Sequence, residues 1–183
     1  MTKPQIGILM GSDSDLEVMA ESAKILDELG VPYEISVLST HRAPQETAKY
    51  AQSAKERGLK VLIAGVGGAA ALPGSLASLT TLPVVGVPIK SKSMEGLDSL
   101  LSIVQMPPGV PVATVGINAA KNAGILAAQI IGSSDQKVAQ RLSDYKSKMK
   151  QEVLAKNSKL QKLGAEKYLR EKLATTENTG KKT

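Results

Sequence analysis

Apolar positions along the chain switch between two periods. Residues 6–10 form an apolar run, Ile6-Gly7-Ile8-Leu9-Met10, and so do residues 61–64 and 84–87. Runs without polar alternation predict strands buried on both faces. Between them the period lengthens. Leu16, Met19, Ala23, Leu26 and Leu29 recur at helical spacing, and Gly30 and Pro32 end that helix. Residues 33–38 alternate like a strand, and Pro44 suits the first position of a helix running to about Arg57 before Gly58. A short helix is expected after Pro73, another over 97–104, a fifth strand over 112–115 and an Ala-rich helix over 119–131. Strands alternating with helices through short turns predict an α/β fold, a parallel sheet covered by helices on both faces.

Beyond that unit the pattern changes. Residues 135–172 read as one long Lys-rich amphipathic helix, its stripe made of Val138, Leu142, Tyr145, Met149, Val153, Leu160, Leu163 and Leu169. A stripe extending past the sheet is expected to pack on another subunit. The organisation is therefore an α/β domain over 1–134, a C-terminal helix over 135–172 and a flexible tail over 173–183.

Charge follows the same division. The 183 residues carry a formal net charge of +6, yet residues 137–183 alone hold 13 basic and 5 acidic side chains. We read this as a solvated lysine face, with no nucleic-acid partner. Four tyrosines are the only aromatics, too few for a base-stacking platform. With no cysteine, the chain has no disulfide, thiolate metal site or thiol nucleophile, and its single histidine excludes a two-histidine metal site. We therefore expect no metal. The longest apolar stretch, residues 61–74, is too short and glycine-rich for a membrane span. No leader pattern is visible at the start, so a cytoplasmic protein without a membrane partner is expected.

The chemistry gathers in three turns. In an open parallel sheet, ligands bind outside the carboxyl ends of the strands. The loops after the first three strands, residues 11–15, 39–42 and 65–71, should meet there. Ser12 and Ser14 with the following helix start would suit an anion, and Ser and Asp are equally favoured there as plain helix caps. Asp13 and Asp15 would repel a phosphate unless one points elsewhere. Arg42 opens a helix, where a cation is unfavourable unless an anion pairs with it. Beside it, His41 can shuttle protons near neutral pH; a surface His-Arg pair fits as well. Residues 65–70 weakly match a dinucleotide fingerprint, but the acidic residue that motif needs about 20 positions on is missing. What remains is a small-residue loop that admits a ligand to backbone, or tight packing.

These loops carry a resemblance. Residues 10–15 (Met-Gly-Ser-Asp-Ser-Asp), 39–44 (Ser-Thr-His-Arg-Ala-Pro), 64–74 (Ala-Gly-Val-Gly-Gly-Ala-Ala-Ala-Leu-Pro-Gly), 98–107 and 122–128 occur in the order of the class I N5-carboxyaminoimidazole ribonucleotide mutases. The chain resembles that family over about residues 5–155. The resemblance implies a flavodoxin-like three-layer αβα sandwich, a homo-octamer with sites at subunit interfaces, and no cofactor. It implies a step of purine synthesis that moves a carboxylate from the exocyclic nitrogen of the aminoimidazole ribonucleotide to ring carbon C4. The substrate would come from an ATP-dependent synthetase. By the same resemblance, His41 would move the proton, while Ser12, Ser39 and Arg42 hold the 5′-phosphate. Asp15 would take the ribose hydroxyls, Ser14 would order the first loop, and Thr40 would lie beside them. Val66, Gly67, Ala70, Ala71 and Leu72 would line the base and carboxylate.

The match has departures. The family has histidine at the position of Ala71, alanine at Val66 and Thr40, and threonine at Ala43. The loss of an imidazole at Ala71 implies weaker catalysis with binding kept. Two alternatives follow: a class II relative that carboxylates the ribonucleotide with free CO2, and a binding-competent but catalytically impaired variant.

Overall fold

The computed structural model describes the backbone of residues 3–180 and the side chains of residues 3–174. Five strands are formed: β1 (Ile6–Met10), β2 (Tyr33–Val37), β3 (Val61–Val66), β4 (Val84–Pro88) and β5 (Ala113–Thr114). They pair in parallel in the order β2-β1-β3-β4-β5, the flavodoxin-like doubly wound order. The unbroken apolar runs take the centre: every residue of β1 and β4 is buried, as is β3 up to Gly65. The alternating strand, β2, lies at an edge with Ile35 and Val37 exposed.

Seven helices complete the described chain: α1 (Leu16–Glu28), α2 (Pro44–Ala54), α3 (Leu72–Leu79), α4 (Leu97–Val104), α5 (Ala120–Gly132), α6 (Gln136–Leu163) and α7 (Ala165–Gly180). On one face α1 packs against α5. Small residues let them approach: a Cβ on Gly124 would lie 2.5 Å from Ile25, and the buried Ser22 hydroxyl donates to the Ala120 carbonyl at 2.6 Å. On the other face α2 and α3 bury Ala51, Ala54, Leu72 and Leu76 against Leu9, Leu62 and Ala64. Each buried leucine side chain there contributes about 1.5–3 kcal/mol of transfer free energy.

A polar clasp ties α2 to the edge strand. The Tyr50 hydroxyl donates to Glu34 Oε1 at 2.6 Å, and Arg57 pairs with the same carboxylate oxygen. The guanidinium also lies 4.4 Å from the Tyr50 ring centroid. Burial, and then the neighbouring Glu34 carboxylate, push the Tyr50 phenol well up.

The C-terminal region is built of the two helices α6 and α7. The first turns of α6 belong to the α/β body: Val138 and Leu142 are buried, and Arg141 Nη1 donates to the carbonyls of Leu29 and Gly30 at 3.0 and 2.7 Å. The compact units are residues 1–142 and 143–183. In the second unit the expected single helix over 135–172 is two, broken at Gly164. Its φ of +73° is left-handed, and its N–H caps the Leu160 carbonyl at 2.9 Å. The second of these helices, α7, carries helix on to Gly180, and residues 181–183 of the expected tail lie outside the described residues. Among the described residues, no helix is long and apolar enough to cross a membrane.

Candidate active site

The order β2-β1-β3 places the topological switch between β1 and β3, and the three glycine-, serine- and histidine-bearing loops leave the sheet around it. Backbone bonds fix their mutual position. The Gly11 N–H donates to the Gly65 carbonyl at 3.3 Å, Leu38 N–H to Met10 at 2.8 Å, and Ile89 N–H to Val66 at 3.1 Å. The Val66 side chain lies against Gly11, 3.0 Å from where a Cβ would stand. Residues from the first and third loops, 54 positions apart in sequence, thereby share one surface.

In the first loop the helix-cap reading is realised in full. Residues 13–15 make a single 3-10 turn that leads into α1. The Ser14 N–H donates to Ser12 Oγ at 3.4 Å, and the Ser12 N–H donates to Asp15 Oδ2 at 3.1 Å, a reciprocal capping box. The two aspartates part company here. Asp15 is 9% exposed and turned inward. Burial pushes its carboxyl above the usual carboxylate value, against the pull of the Ser12 amide and the Arg42 charge, with Asp13 adding a smaller upward push. Asp13 is exposed, and its Oδ1 accepts the Ser12 hydroxyl at 3.2 Å.

The second loop answers the question of the cation at a helix start. Arg42 precedes α2 and turns its guanidinium away from it: Nη2 donates to the Gly11 carbonyl at 2.8 Å, across to the first loop. The Arg42 N–H also donates to Ser39 Oγ at 3.3 Å, which sets the turn. Thr40 is half-buried and His41 exposed, and the His41 ring makes no hydrogen bond to a described residue.

The third loop supplies backbone. Gly67 lies 3.4 Å, measured from its missing Cβ, from the Ile89 carbonyl. Ala70 has φ +35°, a left-handed conformation costing a non-glycine residue about 1 kcal/mol. Ala71 stands at the N-cap of α3 with no side-chain cap, and Leu72 and Pro73 begin that helix. Ala43 likewise leaves the start of α2 without a side-chain cap. Uncapped amides, two serine hydroxyls and a guanidinium facing one edge make an anion-accepting surface. Next to it stands the chain's one histidine.

The fourth loop was not singled out from the sequence. Residues 89–96 leave β4 at the same edge, hydrogen-bonded to β3 through Ile89. The Lys90 N–H donates to Asn118 Oδ1 at 2.9 Å, and its ammonium pairs with Glu95. The available signal was positional: Lys90 follows the fourth apolar run as closely as Gly67 follows the third.

Comparison with known proteins gives a consistent result. Residues 5–152 match the family model described as AIR carboxylase. The chain is 57% identical over 169 residues to the N5-carboxyaminoimidazole ribonucleotide mutase of Thermotoga maritima, covering 92% of this chain and 99% of that protein. It is 58% identical over 169 residues to the protein of that name from Pyrococcus horikoshii, covering 92% and 96%. Among solved structures, Treponema denticola PurE superposes with a TM-score of 0.78 at 29% identity, over 86% of this chain and 98% of that one.

Proposed function

The chain belongs to the AIR carboxylase family, and we propose that it is an N5-carboxyaminoimidazole ribonucleotide mutase acting in purine biosynthesis. The observation that carries this reading is the meeting of the 11–15, 39–42 and 65–71 loops at one sheet edge, in a chain 57–58% identical to proteins of that name.

Each group has a task in such a reaction. Ser12, Ser39 and Arg42 hold the 5′-phosphate, and Asp15 takes the ribose hydroxyls. Ser14 orders the first loop, and Thr40 flanks the second. Backbone of Val66, Gly67, Ala70, Ala71 and Leu72 lines the base and the migrating carboxylate. The carbamate N–C bond breaks, releasing CO2 and leaving its electron pair on the exocyclic nitrogen. The enamine carbon C4 then attacks the trapped CO2. His41 accepts the C4 proton and returns a proton to the nitrogen, so the net change is an isomerisation. Holding CO2 needs water exclusion and positioning more than strong acids. We further propose a cytoplasmic enzyme supplied by an ATP-dependent synthetase.

Two features support assembly as a homo-octamer with sites completed at interfaces. His41 is exposed and unsupported in the single chain, and apolar side chains are left exposed on α4 (Leu97, Leu101, Val104) and on α6 (Met149, Val153, Leu154). The competing class II reaction would draw on free CO2.

The test is turnover of N5-carboxyaminoimidazole ribonucleotide with no metal or bicarbonate added, beside His41→Asn. The expected result is 4-carboxy-5-aminoimidazole ribonucleotide from the parent and a loss of about a hundredfold or more in the variant. Product only from the uncarboxylated ribonucleotide plus bicarbonate would replace the mutase by the carboxylase. Binding without product from either substrate would identify an impaired variant.

A further inference from the structure

We propose that Asp13 is a built-in competitor for the phosphate site: its carboxylate occupies the Ser12 hydroxyl in the free protein and must yield it to the incoming dianion. This rests on the phosphate-binding role proposed above for Ser12 and Arg42. The starting point is a conflict, since a loop proposed to bind a phosphate carries two carboxylates. Asp15 is withdrawn from the conflict, buried and bonded to the Ser12 amide at 3.1 Å. Asp13 is not. It is exposed, and its Oδ1 accepts the Ser12 hydroxyl proton at 3.2 Å.

Both Ser12 donors and the Ser14 amide therefore have internal acceptors in the free state. The Ser12 N–H is taken by Asp15, the Ser14 N–H by Ser12 Oγ, and the Ser12 O–H by Asp13. Arg42 is likewise engaged, by the Gly11 carbonyl at 2.8 Å. A phosphate that takes the Ser12 hydroxyl must break the bond to Asp13 and sit beside its negative charge. Such an arrangement selects against weak anions. A ligand of low charge density gains too little to displace the carboxylate, while a phosphate ester dianion that also pairs with Arg42 gains enough. Asp13 thus lowers affinity in exchange for keeping the site free of adventitious anions.

The test is binding of ribose 5-phosphate and of inorganic phosphate to the full chain, comparing the parent, Asp13→Asn and Glu17→Gln. Glu17 is an exposed carboxylate in the first turn of α1 and controls for net charge. Asp13→Asn is expected to bind both probes about three- to tenfold more tightly. Inorganic phosphate should gain at least as much as the ester, and Glu17→Gln should change neither by more than about twofold. In turnover, Asp13→Asn should lower KM with kcat unchanged, which a purely structural role would not do. Equal or weaker binding by Asp13→Asn, or an equal gain from Glu17→Gln, overturns the proposal while leaving the phosphate site in place. Failure of the parent and Asp13→Asn alike to bind ribose 5-phosphate overturns both the proposal and the phosphate-site reading.

Discussion

Gly65 offers the sharpest link between packing and the site. It ends the buried part of β3, and its carbonyl accepts the Gly11 N–H at 3.3 Å. A Cβ there would lie 2.1 Å from Met19 Sδ and 2.9 Å from Met19 Cγ and Cε. Met19 is fully buried one turn into α1, and its Cγ is in the way as well as its tip, so the whole side chain must move within the core. Overpacking of this kind costs about 2 kcal/mol. In a chain of this size Gly65→Ala should then lower Tm by about 4–8 °C. Because the turn that holds the capping box runs straight into α1, kcat/KM should fall as well. Met19→Ala alone leaves a cavity and costs about 3 kcal/mol. The double variant should be less destabilised than the sum by about 1 kcal/mol or more, since each change relieves the other. Urea unfolding followed by far-UV circular dichroism measures all four proteins, at one protomer concentration because assembly would contribute to stability. A Gly65→Ala cost below about 0.5 kcal/mol, or strict additivity, would refute the reasoning.

Three further outcomes are expected. Asp15→Asn should weaken substrate binding about tenfold through lost hydrogen bonds to the ribose, measured by KM, yet make the fold more stable at neutral pH. Burial raises the Asp15 carboxyl in the folded state. The parent therefore loses stability as pH rises from the ordinary carboxylate value through the raised one, whereas the Asn variant does not; parallel pH–stability curves would contradict this. Arg42→Lys should raise KM about ten- to a hundredfold, because an ammonium cannot bridge the Gly11 carbonyl and a phosphate as a guanidinium fork does; an unchanged KM would remove Arg42 from the phosphate site. Ala71→His, placing an imidazole at the uncapped start of α3, should raise kcat about tenfold at similar KM; no gain in a turnover assay would dispose of the idea that this position limits catalysis.

Much of the molecule was legible locally. An unbroken apolar run such as Ile6–Met10 has only one comfortable place in a parallel sheet, the middle, and it takes it. Short turns between strands and helices require parallel neighbours, and the loops that follow the strands then fall at one edge. The resemblance supplied the strand order. What defeated local reading was competition between signals of similar strength. At Gly164 the apolar stripe argued for continuing the helix and the glycine for ending it, and the glycine prevailed by adopting φ +73°. At Val138 and Leu142 the stripe turns to the α/β body: these residues are buried there, and Arg141 bonds the carbonyls at the end of α1.

The chain by itself determined which residues could reach the site, because strand and helix periods are properties of neighbouring side chains. Tertiary structure alone decided how they are used there. Asp13 and Asp15 are the same residue type two positions apart, and only the turn that starts α1 buries one and exposes the other. Likewise, nothing near Arg42 in sequence discloses that its guanidinium is held by the Gly11 carbonyl, 31 residues earlier. That bond exists because two adjacent parallel strands, β1 and β2, end side by side. Proximity between strand ends depends on sheet order, which no local pattern encodes.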